Sequence, residues 1–192
     1  MLILASSSPR RQEIIRSLRL PFEVYPSHVD ETIEASLTPS EAVTVLAERK
    51  ASAVKEKLNG SMKGVIIGSD TVVVLGNDIL GKPVNPQDAF AMLKRLQGRS
   101  HQVYSGIACI DAAEDKRVVQ YRSTLVHMRS LSDDQIERYI ESGEPMDKAG
   151  SYAIQGLGAA LVDSIEGDYF NVVGLSVALL TDMLKEFGIA VP

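Results

Sequence analysis

Three short blocks of the sequence carry residue types that handle phosphate and its charge. Ser6-Ser7-Ser8-Pro9-Arg10-Arg11 sets hydroxyls, a proline and two guanidinium groups where the apolar run Leu2 to Ala5 gives way to a helical pattern. A helix entered in this way aims its unpaired amides and positive dipole end at the loop, and Arg10 or Arg11 adds a charge that grips an oxyanion at two points. The same letters also describe an ordinary capped helix with surface arginines. Asp70 stands between the apolar stretches Val65-Ile66-Ile67 and Val72-Val73-Val74. A carboxylate in such surroundings calls for a divalent metal or a proton-transfer task, although backbone amides or a lysine would also satisfy it. Asp30-Glu31 is by itself a solvated acidic turn; with Asp70 it becomes an oxygen-ligand set suited to magnesium or manganese.

Basic and glycine-rich segments extend the set. Lys50 lies in a long helical stretch, and Lys82 in the loop Gly81-Lys82-Pro83; each reads either as a solvated charge or as a phosphate ligand. Asp147-Lys148-Ala149-Gly150-Ser151-Tyr152 combines glycine with small and polar residues, so its backbone can approach a ligand closely or simply turn. His101 is a candidate general base, but no catalytic serine or cysteine pattern accompanies it, and His28 and His127 add no metal-like spacing. Cys109, within a strand-like run, reads as core. The absence of a Walker loop and of a dinucleotide glycine fingerprint removes the usual support for a kinase or a dehydrogenase.

The elements that must carry these residues follow from periodicity. Leu2 to Ala5 reads as a buried strand, followed by a helix with Ser8 as cap, Pro9 in its first turn and Ile14, Ile15 and Leu18 on one stripe. A strand is expected over Phe22 to Tyr25 and the longest helix over Pro39 to Leu58. Gly64 to Leu75 reads as a central strand interrupted at Ser69-Asp70-Thr71, with a hairpin turn at Gly76-Asn77-Asp78. A helix over Pro86 to Leu96 precedes an antiparallel pair, His101 to Asp111 and Arg117 to Arg129. Ser132 caps a further helix to Ser142; Ala159 to Ile165 reads as a strand; and Leu180, Met183, Leu184 and Phe187 define the inner face of a last helix. Strands and helices without strict alternation predict an α/β chain with a mixed sheet flanked by helices, and a cleft between lobes.

The 192 residues are 45% hydrophobic and 23% charged, a composition that folds, and the formal charge of -5 argues against a broad grip on nucleic acid. With one cysteine there is no internal disulfide. The opening residues lack a secretory signal's basic and apolar segments, and no apolar run is long enough to span a bilayer, so a cytoplasmic protein without membrane partners is expected.

Taken together, Leu4 to Arg11, Val29-Asp30-Glu31, Lys50-Ala51, Gly68-Ser69-Asp70-Thr71-Val72-Val73, Gly81-Lys82-Pro83, Asp147 to Gly156 and Gly167-Asp168-Tyr169-Phe170-Asn171-Val172-Val173-Gly174-Leu175 resemble the Maf family of nucleotide pyrophosphatases. The resemblance spans nearly the whole chain. It implies one domain over residues 1–192, a twisted mixed sheet related to inosine triphosphate pyrophosphatases, two lobes with a central cleft, and often a homodimer. It further implies hydrolysis of a nucleoside triphosphate to the monophosphate and pyrophosphate with a divalent metal. On this likeness Asp70 is the proton acceptor and, with Glu31, a metal partner, while Ser6, Ser8, Arg10, Arg11, Lys50, Lys82 and Lys148 meet the substrate. Thr71 and Gln155 match the subgroup acting on dTTP and UTP, whereas the 7-methyl-GTP subgroup tends to carry glutamine and glutamate there. A glutamine amide offers both the donor and the acceptor that the N3-H and O4 edge of uracil or thymine needs. The alternatives are a 7-methyl-GTP or purine nucleotide pyrophosphatase and a nucleotide-binding regulator of cell division. Ser176 and Ser105 stand where the family commonly has proline and threonine; serine at 176 is itself a competent helix cap.

Overall fold

A computed structural model describes residues 1–34 and 36–191. The opening apolar run forms β1 (Leu2–Leu4), which pairs in parallel with both β2 (Phe22–Val24) and β3 (Val65–Leu75). Between them lie helices α1 (Pro9–Ser17) and α2 (Pro39–Leu58). A reciprocal capping box joins Thr38 and Glu41 at the start of α2, and Asn59, in left-handed conformation, ends it. The strand β4 (Asp78–Leu80) turns back antiparallel on β3, followed by α3 (Pro86–Leu96), β5 (Ser100–Asp111) and β6 (Arg117–Met128). Hydrogen bonds from Asp111 to Lys116 at one end and from Met128 to Arg99 at the other make β5 and β6 the expected antiparallel pair. Then come α4 (Asp133–Glu141), capped by Ser132 as expected, three short 3-10 segments, β7 (Val162–Glu166) antiparallel to β6, α5 (Tyr169–Val173) and α6 (Val177–Lys185). The seven strands form one mixed sheet in the order β2-β1-β3-β5-β6-β7, with β4 beside β3. Among the described residues no helix is long and apolar enough to cross a membrane.

Four expectations are corrected. The central strand is not interrupted: β3 runs through Ser69-Asp70-Thr71, because Ser69 and Asp70 find partners and need not leave the ladder. Residues 159–161 belong to a 3-10 segment, Gly156–Leu161, and the strand starts only at Val162. There the amides of Leu157 and Gly158 are taken by the Glu144 carboxylate and cannot enter a ladder. The five residues of α5 have no counterpart in the expected elements. Phe187 lies beyond the end of α6, whose buried face is Leu179, Leu180, Met183 and Leu184.

The chain divides into two compact units. The first comprises residues 1–70, 105–122 and 174–192, with Ile3, Ala47, Ala51, Ile66 and Ala108 in its core. Here α2 lies directly on glycines of the sheet: a Cβ at Gly68 would fall 2.1 Å from the Ala47 carbonyl oxygen, and one at Gly106 2.2 Å from that of Val43. The second comprises residues 71–104 and 123–173, with Leu93, Leu96, Val103, Val126 and Ile136 in its core.

Candidate phosphate and cation site

The first unit gathers most of the charged residues singled out in the sequence. Side chains two residues apart on a strand share a face, so Asp70 points to the side on which Gly68 receives α2. The helix delivers Lys50 there. Its ammonium lies 2.6 Å from Asp70 Oδ1 and 2.7 Å from Glu31 Oε1. Lys50 and Asp70 are buried, whereas the Glu31 side chain is 53% exposed, so the pair with Asp70 is the better shielded and the stronger of the two.

The loop bearing Glu31 is held from both sides. Arg49, beside Lys50 on α2, donates to the carbonyl oxygens of Asp30, at 2.6 Å, and of Thr32, at 3.3 Å. The Asp30 carboxylate turns away to accept the amide and hydroxyl of Thr32 at 2.9 and 2.6 Å, bonds that hold it below the usual carboxylate range. Of the acidic pair, therefore, only Glu31 converges with Asp70.

Arg11 joins the same cluster from α1. Its Nε donates to the Gly174 carbonyl at 2.9 Å, an oxygen that also accepts the Ser69 hydroxyl at 3.1 Å. Gly174 has φ +124, a conformation that favours glycine. Burial pulls the Arg11 guanidinium below its ordinary value; Asp70 and Glu31 draw it back up, and Arg10 opposes them. An arginine so placed stays charged at any physiological pH. Asp70 and Arg11 thus act on each other electrostatically.

At the entrance to α1 the hydroxyls divide the work differently from expectation. Ser8 occupies the cap position, but its side chain makes no capping bond; Ser6, which is buried, accepts the Ser8 amide at 3.2 Å. One of the amides expected to face a ligand is therefore already used within the loop.

Could Glu31 and Asp70 hold a divalent ion? Two carboxylates converging on one positive centre, the Lys50 ammonium, form a cation-binding pair. No group of three or more histidine, cysteine or acidic residues able to hold a metal occurs among the described residues. Magnesium characteristically takes one or two carboxylates and completes its shell with substrate phosphates and water, so the pair fits that mode.

The second unit holds Thr71, Lys82, Lys148 and Gln155. Two of its blocks meet: the Gly150 amide donates to the Gly81 carbonyl at 3.0 Å, bringing the Lys82 loop to the Asp147–Tyr152 turn. Gly150 has φ +69, and a Cβ there would fall 2.9 Å from Val73, on the strand face that Thr71 shares. Lys82 is exposed. Lys148 bonds within its own turn, to the Asp147 carboxylate and the Glu144 carbonyl, each at 2.6 Å. Gln155 is half-buried and precedes the 3-10 segment without capping it.

His101 is no general base. It is buried, its Nε2 lies 2.6 Å from the Tyr152 hydroxyl, and burial, with a smaller contribution from His127, lowers its pKa to about 4. Cys109 is core, its thiol pushed up to about 12 by burial. Sequence reasoning missed Arg49, Gly68 and Glu144. A charged residue next to Lys50 and a glycine two before Asp70 were visible signals; for Glu144 there was none, since the backbone amides its carboxylate accepts, Leu157 and Gly158, lie more than ten residues away.

Two carboxylates, Glu31 and Asp70, and two cations, Lys50 and Arg11, thus meet in the first unit. The chain belongs to the Maf family: the family profile described as Maf-like protein matches residues 1–187. It is 51% identical over 190 residues to the dTTP/UTP pyrophosphatase of Desulforamulus reducens, covering 99% of this chain and 98% of that one. The dTTP/UTP pyrophosphatase of Pelotomaculum thermopropionicum is 50% identical, with 97% and 96% covered, and that of Clostridioides difficile 47% identical, with 97% and 94% covered. Among solved structures, the Staphylococcus aureus Ham1 protein is 16% identical with a TM-score of 0.49, covering 84% of this chain and 79% of that one, a likeness too loose to carry an argument.

Proposed function

We propose that this protein hydrolyses dTTP and UTP to the nucleoside monophosphate and pyrophosphate, with magnesium or manganese, acting on free nucleotides in the cytoplasm. The observation that carries the reading is the Glu31–Lys50–Asp70 cluster with Arg11 in its field. Relatives of about half identity bear the name of the same reaction. A divalent metal, held by Asp70 and Glu31 when bound, would supply Lewis acidity to the triphosphate oxygens.

The chain's own residues do the rest. Asp70 accepts the proton of the water that attacks the α-phosphorus in line with departing pyrophosphate. Lys50 and Arg11 offset the charge that develops on the phosphoryl oxygens, with Arg10, Lys82 and Lys148 as further cations, and Ser6 and Ser8 position oxygens. Thr71 and Gln155 select the base, Gln155 through the donor and acceptor of its amide.

The test is pyrophosphate release from a nucleotide panel with magnesium, with manganese and after chelation. Metal-dependent release fastest on dTTP and UTP is expected. Faster release from 7-methyl-GTP or a purine triphosphate would overturn the substrate assignment, and nucleotide binding without release would overturn the enzymatic one. Sedimentation of the same sample tests the two-copy assembly that the family resemblance implies.

A further inference from the structure

Among the described residues, a densely bonded side-chain network that the proposed reaction does not use surrounds Glu144. Its Oε2 accepts the Leu157 amide at 3.0 Å, and its Oε1 accepts both the Gly158 amide and the Tyr139 hydroxyl at 2.9 Å. The Tyr139 hydroxyl in turn accepts the Ala153 amide at 3.2 Å. Gln155 lies midway between these clamped positions. It stands at the cap of the 3-10 segment Gly156–Leu161, yet its own side chain does not cap; the carboxylate of Glu144 does so from another part of the chain. The Gln155 amide is thereby left to a ligand.

Gly156 makes the arrangement feasible. Its φ is +65, and a Cβ would fall 2.6 Å from Glu144 Oε2. Lys148 anchors the other end of Glu144, donating to its backbone carbonyl at 2.6 Å. Burial alone would raise the Glu144 carboxyl, but the bonds from Gly158, Tyr139 and Leu157 and the charge of Lys148 outweigh it and hold the group below its ordinary range.

We propose that Glu144 is the positioning residue for base selection: with Tyr139 it fixes the backbone on both sides of Gln155, so that the Gln155 amide meets the pyrimidine edge in one orientation. This rests on the assignment of Gln155 to base recognition made above. The chemistry demands some such device. Uracil offers a donor at N3 and an acceptor at O4, cytosine an acceptor at N3 and a donor at N4, and a glutamine amide turned through half a circle fits either. A glutamine alone therefore does not choose; the backbone that aims it does.

The experiment compares kcat and KM for UTP and CTP, with magnesium, in the wild type, E144Q, E144D, Y139F, Q155A and the double variant E144Q/Q155A. In E144Q the isosteric amide sets a donor against one of the clamped backbone amides. The expected result is a KM for UTP raised about tenfold, kcat within about threefold, and the UTP-to-CTP ratio of kcat/KM reduced about tenfold. Y139F lowers the ratio in the same direction. E144D, which keeps the charge on a shorter arm, recovers part of it. In the Q155A background E144Q changes the ratio by less than about twofold, because the side chain it aims is gone. A ratio unchanged in E144Q and Y139F while Q155A lowers it would overturn the role of Glu144 and leave base reading by Gln155 standing. A ratio untouched by Q155A, or a wild type without preference for UTP, would overturn both. Equal losses on UTP and CTP in E144Q, with faster amide exchange at Leu157 and Gly158, would reduce Glu144 to a structural clasp and also end the proposal.

Discussion

Lys50 meets Asp70 at 2.6 Å because Gly68, two residues before Asp70 on the same face of β3, lets Ala47 and Ala51 of α2 rest on the strand backbone. A Cβ at residue 68 would lie 2.1 Å from the Ala47 carbonyl oxygen, a rigid backbone atom, so the helix itself would have to move. Gly68→Ala is expected to cost about 1–3 kcal/mol, as overpacking does. It should also lower turnover roughly a hundredfold, as small misplacements of reacting groups do. Gly81→Ala, where an added Cβ meets nothing within 4 Å, is the stability control. Urea unfolding and pyrophosphate release read the two effects; an unfolding midpoint equal to the control's would show that α2 does not rest on Gly68 in solution.

Asp70→Asn keeps the shape of the side chain, removes its charge and ends its use as a proton acceptor. Turnover is expected to fall by about two to four orders of magnitude, the usual contribution of a positioned acid or base. Nucleotide affinity, measured by calorimetry with magnesium, should change less than about tenfold, because Arg11 and Lys50, the proposed phosphate partners, remain. Residual turnover above a tenth of wild type would assign the proton to another acceptor.

Ser176→Ala tests a cap away from the proposed chemistry. The buried Ser176 hydroxyl accepts the Leu179 amide at 3.2 Å at the start of α6, the role anticipated for serine at this position. Losing the cap should cost about 1 kcal/mol. Turnover well below the melting temperature should remain wild type. A variant as stable as the wild type would mean that water serves the Leu179 amide equally well.

Much of this arrangement was legible from local pattern, and what was not has a common cause. The apolar runs of β1 and β3, the proline-led starts of α1, α2 and α3 and the serine cap of α4 all rest on neighbours in sequence, and they appear where the sequence puts them. Asp70, Lys50, Glu31 and Arg11 were each ambiguous alone; their convergence depends on α2 crossing the sheet at Gly68 and Gly106, a tertiary contact that no periodicity reports. Residues 159–161, the end of the 3-10 segment Gly156–Leu161, read as the beginning of a strand because Ala159, Ala160 and Leu161 lead into Val162, while the carboxylate that captures the preceding amides comes from Glu144. Ser8 has the right letter and position for a cap, yet its side chain makes no capping bond, and its own amide donates to Ser6.

His101 gives a stability signature in pH. Buried against Tyr152, it has a folded pKa of about 4 against an ordinary value of 6.5. A histidine whose folded value is depressed binds its proton more readily when unfolded, so its contribution is fully present above pH 6.5 and declines as the pH falls toward 4. Between pH 7 and pH 5 the loss from this one group should approach roughly 2 kcal/mol. In that window the carboxylates with lowered values, Glu144 among them, remain ionised and contribute little slope. His101→Gln keeps a group able to bond the Tyr152 hydroxyl but does not titrate, so urea unfolding at the two pH values should show the slope in the wild type and its near absence in the variant. An equal slope in both proteins would show that His101 is protonated in the folded state well above pH 4, and that the pocket around Tyr152 admits the charge.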